Sequence, residues 1–153
     1  MNILLKEINE DNFRQCTKLT VADGQEHFVA SNVYSIAESK IYSYLTPLAI
    51  NNGENLVGFA MYGRDPKDKT YWIMRLMIDA QFQGNGFGKA AILALIERIK
   101  QLPEGHELFL SYVPANIYAE KLYRSIGFER TGKTDDDGEI IMRFSSLKTK
   151  TRP

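Results

Sequence analysis

Gly84, Gly86 and Gly88 stand at alternate positions between an apolar run, Tyr71 to Ile78, and a helical pattern that carries Lys89 in its first turn. A backbone without Cβ atoms takes φ > 0 at little cost and lets a ligand approach closely. The first amides of the following helix have no partner within it, and they lie at the positive end of its dipole. An anion is the expected occupant of such a loop. Lys89 can reach a phosphate oxygen or remain a solvated first-turn lysine. Further along, Tyr123 carries a phenol that can move a proton, although its spacing with Leu122 and Ile126 also suits a core aromatic.

The elements that must hold these groups are legible from patterning. Residues 3–8 have the content of a first strand, followed by a helix capped by Asn9 or Asp11 that turns Phe13, Cys16 and Leu19 inward. Ser35 and Glu38 match a capping box and predict a helix from Ile36. Residues 47–50 and 56–62 flank an Asn/Gly cluster and form a hairpin, and a turn at 65–68 leads into a third antiparallel strand at 71–78. Ile92, Leu95, Ile96, Ile99 and Leu102 share one helical face, closed by Pro103 and Gly105. The strand at 107–113 follows that helix and is expected to run parallel to 71–78. Asn116 caps a helix whose inward face is Ala119, Leu122, Tyr123 and Ile126, with Gly127 at its end, and a hairpin around Asp135 to Gly138 closes the chain. The expected fold is α/β of the α+β type, a mixed sheet with helices on both faces and its antiparallel half first. One domain over 1–145 and a polar, basic tail over 146–153 are expected.

The 153 residues carry 19 basic and 19 acidic side chains, so no net field points to nucleic acid or a membrane surface. Cys16 is the only cysteine, which excludes an internal disulfide and a Cys-rich zinc site, and no metal is expected. Charge enters the N-terminus too early for a signal peptide, so the cytoplasm is the expected location.

Two phosphate-binding alternatives fail on these residues. A P-loop requires Gly at 83 and Ser or Thr at 90, where this chain has Gln83 and Ala90. Gly86-Phe87-Gly88-Lys89-Ala90-Ala91 satisfies G-x-G-x-x-A, but a dinucleotide loop follows its strand at once and is followed about 20 residues on by an acid that ends a strand. Here Asp79-Ala80-Gln81-Phe82-Gln83 intervenes, and Glu107 opens a strand instead.

Gln83, Gly86 and Gly88 match Q/R-x-x-G-x-G/A, and Asn116 is followed by Leu122-Tyr123-Arg124-Ser125-Ile126-Gly127-Phe128. In order and spacing this resembles the GNAT superfamily of acyl-CoA-dependent N-acyltransferases. Residues 56–63 and 75–88 resemble its bacterial spermine/spermidine N-acetyltransferase branch. The resemblance implies a sheet of about seven strands with a splayed parallel pair at strands 4 and 5, about four helices, and acetyl-CoA as cosubstrate. It places the coenzyme on Gln83, Gly84, Asn85, Gly86, Phe87, Gly88 and Lys89, with Asn116 and Tyr123 also in contact, and the acetyl carbonyl against the backbone of Leu76, Met77 and Ile78. It makes Tyr123 the general acid for the leaving thiolate, and a small-molecule amine, a polyamine by branch, the acceptor.

Some members of that branch carry a carboxylate where this chain has Met74, and methionine cannot take a proton. Glu26, His27 and Glu38 are substitutes by residue type. Asp23, Glu26, Glu38, Asp135, Asp136 and Glu139 are candidates for attracting a cation, and Met74, Arg75, Glu26 and Glu38 are placed at the acceptor. Other amine acceptors and a non-catalytic acyl-CoA-binding module remain alternatives, and relatives often form homodimers.

Overall fold

The structure is a computed structural model that describes residues 1–146. The basic tail expected over 146–153 therefore lies outside the described residues, apart from Ser146. Strands β1 (Ile3–Glu7), β2 (Leu45–Asn52), β3 (Asn55–Arg64), β4 (Tyr71–Ile78), β5 (Glu107–Tyr112), β6 (Glu129–Thr134) and β7 (Ile140–Ser145) form one sheet in the order β1-β2-β3-β4-β5-β7-β6. Helices α1 (Phe13–Lys18), α2 (Asn32–Ile41), α3 (Phe87–Lys100) and α4 (Ile117–Ile126) cover it. The β4–β5 pair is parallel, and every other pairing is antiparallel.

A core lies on each face. Ala91, Ile92, Leu95, Ile96 and Ile99 of α3 pack with Leu48, Ile50, Ala60 and Ile73, while Cys16 of α1 packs with Leu45, Ala49, Phe59, Met61 and Met77 on the opposite side. Burial pushes the Cys16 thiol up to about 11, so this cysteine is an inert core residue.

Two expected helix starts are corrected. Helix α2 begins a turn earlier than Ile36, because the Ser31 hydroxyl accepts from Tyr34 N at 3.1 Å and takes the cap. Ser35 is instead buried inside the helix and donates to Ser31 O. Neither Asn9 nor Asp11 is the cap residue of α1, which is Asn12, and Phe13 is exposed while Cys16 is the buried residue of that helix. Asn9 braces the entry as an Asx turn, its Oδ1 accepting from the amides of Asp11 and Asn12.

The irregularity that matters most is in β4. Met61 pairs with Arg75 and Tyr62 with Ile73, so Met74 is an extra residue with no partner on β3, a β-bulge. The side-chain parity of the strand changes there. Tyr71 and Ile73 face the α3 core, and past the bulge Leu76 and Ile78 do so, while Met77 joins the opposite core.

Candidate active site

Strands β4 and β5 share a single rung, Trp72 with Phe109, near their N-terminal ends. Their rings stack there at 5.3 Å, and Tyr71 Oη donates to Pro103 O at 2.8 Å, so the closed end of the pair is pinned by side chains as well as backbone. Beyond that rung the strands separate. Backbone groups on the β5-facing edge of β4 from Ile73 to Ile78 have no ladder partner on β5 and face a cleft of about 780 Å³.

At the far end of β4 the chain needs the five residues that a dinucleotide loop lacks. Asp79 is buried and caps the short 3-10 helix Ala80–Phe82; its Oδ1 accepts from Thr20 N at 2.9 Å, which ties this corner to the segment after α1. Gln83 then frames the loop. Its Nε2 donates to Ile78 O and to Gln25 Oε1, each at 3.0 Å, which fixes the start of the glycine loop to the end of β4.

Gly84 and Gly86 take φ values of 82° and 84°, where a side chain would be strained. Gly88 does not: it lies in the first turn of α3. The first intrahelical bond runs from Ala90 N to Gly86 O at 3.1 Å, so the amides of Phe87, Gly88 and Lys89 are not used by the helix. No acidic residue sits in that turn. Gly84, Gly86, Phe87, Gly88 and Lys89 line the cleft, whereas the Asn85 side chain folds back, Nδ2 donating to Phe82 O at 3.1 Å. These positions suit a pyrophosphate: free amides, a helix dipole, one lysine and no competing carboxylate.

Asn116 caps α4, its Oδ1 accepting from Ala119 N at 3.2 Å, and it also lines the cleft, where Nδ2 remains a donor. Tyr123 stands on the same helix, its ring packed at 6.0 Å from Tyr112 and 5.9 Å from Phe128. Among the described residues no hydrogen bond satisfies its hydroxyl. Burial chiefly, with the charges of Glu139 and then Tyr112 adding to it, pushes that hydroxyl up to about 12, so it keeps its proton at neutral pH. Tyr112, by contrast, is tied: its Oη donates to Glu120 Oε1 at 2.6 Å, and Glu120 also receives Arg130 and Arg124. These donors, Arg130 first, hold the Glu120 carboxyl at about 2 and brace β5, α4 and β6 against one another.

The other end of the cleft is lined by Glu26, His27, Met74, Arg75, Ser111, Asp137 and Glu139. Glu38 does not line it; its carboxylate is paired with Arg75 Nη2 at 2.9 Å and ties α2 to the β4 bulge. Asp23, Asp135 and Asp136 are not on its wall either. Asp135 is consumed by its own turn, Oδ1 accepting from the amides of Asp137 and Glu139. Asp137 and Ser111 are lining residues that the sequence did not single out; the acidic turn was the signal, but which acid faces inward depends on turn geometry.

Among the described residues there is no group of three or more His, Cys, Asp or Glu side chains placed to hold a metal. Nor is any helix there long and apolar enough to cross a membrane.

Comparison with known proteins agrees with this geometry. Residues 5–128 match the acetyltransferase (GNAT) family. The chain is 33% identical over 148 residues to a spermine/spermidine N(1)-acetyltransferase of Bacillus subtilis, covering 93% of this chain and 97% of that protein. A crystal structure of an aminoglycoside acetyltransferase in complex with coenzyme A superposes with a TM-score of 0.79 at 18% identity, covering 95% of this chain and 96% of the other. A spermidine N-acetyltransferase from Vibrio cholerae in complex with CoA and spermine superposes with a TM-score of 0.73 at 16% identity, covering 96% and 97%. The splayed pair, the glycine loop and a family match over most of its length make this chain an acetyl-CoA-dependent N-acetyltransferase of the GNAT family, to which it belongs.

Proposed function

We propose that the acceptor is a polyamine, spermidine or spermine, and that its amine attacks the thioester directly with Tyr123 as the general acid. The observation that carries the acceptor is the near full-length similarity to a spermine/spermidine N(1)-acetyltransferase. The acidic wall of the acceptor half, Glu26, Asp137 and Glu139, supports it, since a polyamine nitrogen is largely protonated near neutrality. Arg75 does not spoil that field, because Glu38 neutralises it.

In this mechanism Leu76, Met77 and Ile78 offer backbone groups to the thioester carbonyl and the pantetheine arm, along the edge that β5 leaves unpaired. Gly84, Gly86, Phe87, Gly88 and Lys89 hold the pyrophosphate. As the amine nitrogen bonds to the carbonyl carbon and the C–S bond breaks, Tyr123 Oη gives its proton to the sulfur. Met74 accepts no proton. It is the bulged residue and is partly exposed, so it shapes the acceptor end as an apolar wall.

Coenzyme A release measured over polyamines, aminoglycosides, amino acids and peptides tests the acceptor. Spermidine or spermine is expected to give the highest kcat/KM by at least about tenfold, a discrimination that one extra buried charge contact supplies. A higher value for an aminoglycoside, or the absence of thiol release with every amine tried, would reject the polyamine reading.

Gly88→Ala separates the ligand role of the loop from its fold role. A Cβ there would meet Leu122 Cδ2 at 3.7 Å and Ile78 Cγ1 at 3.8 Å, ordinary contacts, and alanine favours the helix. Thermal stability is therefore expected to hold or rise, while acetyl-CoA affinity falls about tenfold or more as the methyl group enters the phosphate site. Isothermal titration beside a melting curve checks both; unchanged affinity would remove Gly88 from the coenzyme site.

A further inference from the structure

The proposed reaction leaves one group without an assignment. The acceptor arrives as an ammonium, its proton must leave before the nitrogen can attack, and Met74 cannot take it. Among the carboxylates on the wall of the cleft, Glu139 is the one held most firmly. Its amide donates to Asp135 Oδ1 at 2.9 Å, its carbonyl accepts from Asp135 N at 3.0 Å, and its Oε1 accepts from Ser111 Oγ at 2.9 Å. Backbone and side chain are thus fixed from two sides, the β6–β7 turn and β5. Glu26 is less well placed, because its Oε1 is turned back onto Gly24 N in its own exposed loop. Asp137 lies at the tip of the turn and makes no side-chain hydrogen bond among the described residues.

We propose that Glu139 receives the reacting ammonium group of the acceptor and takes its proton, with Ser111 holding the carboxylate in position. This inference rests on the polyamine reading above. The proton balance is complete with groups already named. One ammonium proton passes to Glu139 and then to solvent; the C–N bond forms as the C–S bond breaks; Tyr123 protonates the sulfur and recovers a proton from the newly acylated nitrogen. The products are the N-acetylamine, the free thiol of coenzyme A and one released proton.

The position of Glu139 adds a coupling between acid and base. Its negative charge is one of the causes that hold the Tyr123 hydroxyl high. Once an ammonium is bound, or a proton has arrived, that charge is neutralised and the phenol becomes a stronger acid. The charged and titratable groups on the same stretch of wall as Glu139 are Glu26, His27, Arg75 and Asp137, with Tyr123 coupled to it by charge and Asp135 bonded to its backbone; Arg75 is already paired with Glu38 at 2.9 Å.

The test uses the full chain with acetyl-CoA and spermidine. Glu139→Gln keeps the size and the Ser111 contact but removes the charge and the base. It is expected to lower kcat/KM for spermidine about 10²-fold, with the KM for acetyl-CoA within about twofold and the melting temperature unchanged. Ser111→Ala keeps the carboxylate but frees it, and about a tenfold loss confined to the acceptor terms is expected. Raising the pH should restore Glu139→Gln in part, because more amine arrives already neutral. Wild-type kinetics in Glu139→Gln would overturn the proposal, as would an equal rise in the KM for both substrates. If wild-type enzyme acetylates another amine and not spermidine, the acceptor reading fails, and the same variants with that amine decide the role of Glu139. If no amine turns over, both fall together.

Discussion

Replacing Tyr123 by phenylalanine is expected to lower kcat by about 10²- to 10⁴-fold while leaving acetyl-CoA affinity within about twofold. The substitution removes one oxygen and little else. The ring keeps its contacts with Tyr112 and Phe128, and since no described residue hydrogen-bonds the hydroxyl, its loss orphans no partner. Stability should therefore hold, which separates a lost proton donor from a lost fold. The pH dependence carries a sign. A phenol pushed up to about 12 acts as an acid below that value, so the wild-type rate should show no alkaline decline from this group between pH 7 and 10. The variant should be depressed across that range without a change of shape. Single-turnover thiol release measured against pH checks both statements. Unaltered turnover would remove Tyr123 from the mechanism.

Gly58→Ala is expected to be the most damaging small change in the sheet. A Cβ at this β3 position would lie 2.4 Å from Met77 O and 2.9 Å from Ile78 Cδ1. The first of these is backbone, so relief requires that β4 itself move. β4 is bonded to β3 on one side, and past Trp72 it has no strand partner on the other, so the displacement runs toward the cleft. A loss of about 3 kcal/mol is expected from the overpacking. For a chain of this size that corresponds to a melting temperature lower by roughly 6–12 °C. At a temperature where the variant remains folded, kcat/KM should fall about tenfold further, since a shift of one ångström at the reacting carbonyl is costly. A thermal scan with parallel kinetics decides it; a wild-type melting curve would mean that β3 yields instead.

Much of the architecture was legible because the strongest signals were local. The apolar run at Tyr71–Ile78, the helical face of α3 and the Asn116 cap needed only periodicity and one capping residue. Where a second residue of the same type stood nearby, the capping-box pattern chose wrongly. Ser31 and Ser35 both suit a helix start, and the choice follows from tertiary contact: Asn32 Nδ2 donates to Cys16 O at 2.9 Å, which draws the first turn of α2 into the core. Asp135, Asp136 and Asp137 are likewise indistinguishable in sequence, and only the turn places the third on the cleft wall. The bulge at Met74 was invisible for a different reason. In a strand with apolar residues on both faces, one extra residue breaks no alternation that a reader could see. The glycines divided as well: Gly84 and Gly86 take positive φ, whereas Gly88 is helical and a Cβ there would make only ordinary contacts with the protein.

The single rung between Trp72 and Phe109 has a mechanical consequence. The sheet is two hydrogen-bonded parts, β1 to β4 and β5 to β7, joined by that one rung rather than by a continuous seam. In the proposed binding mode a thioester arm along the open edge would bridge those two parts as an extra strand does, so the folded enzyme without acetyl-CoA should breathe about that rung. Amides on the open edge of β4 are then expected to exchange with deuterium by local opening, and to slow on acetyl-CoA binding far more than amides in the β2–β3 ladder. In the proposed binding mode the cosubstrate would complete the sheet before it reacts on it.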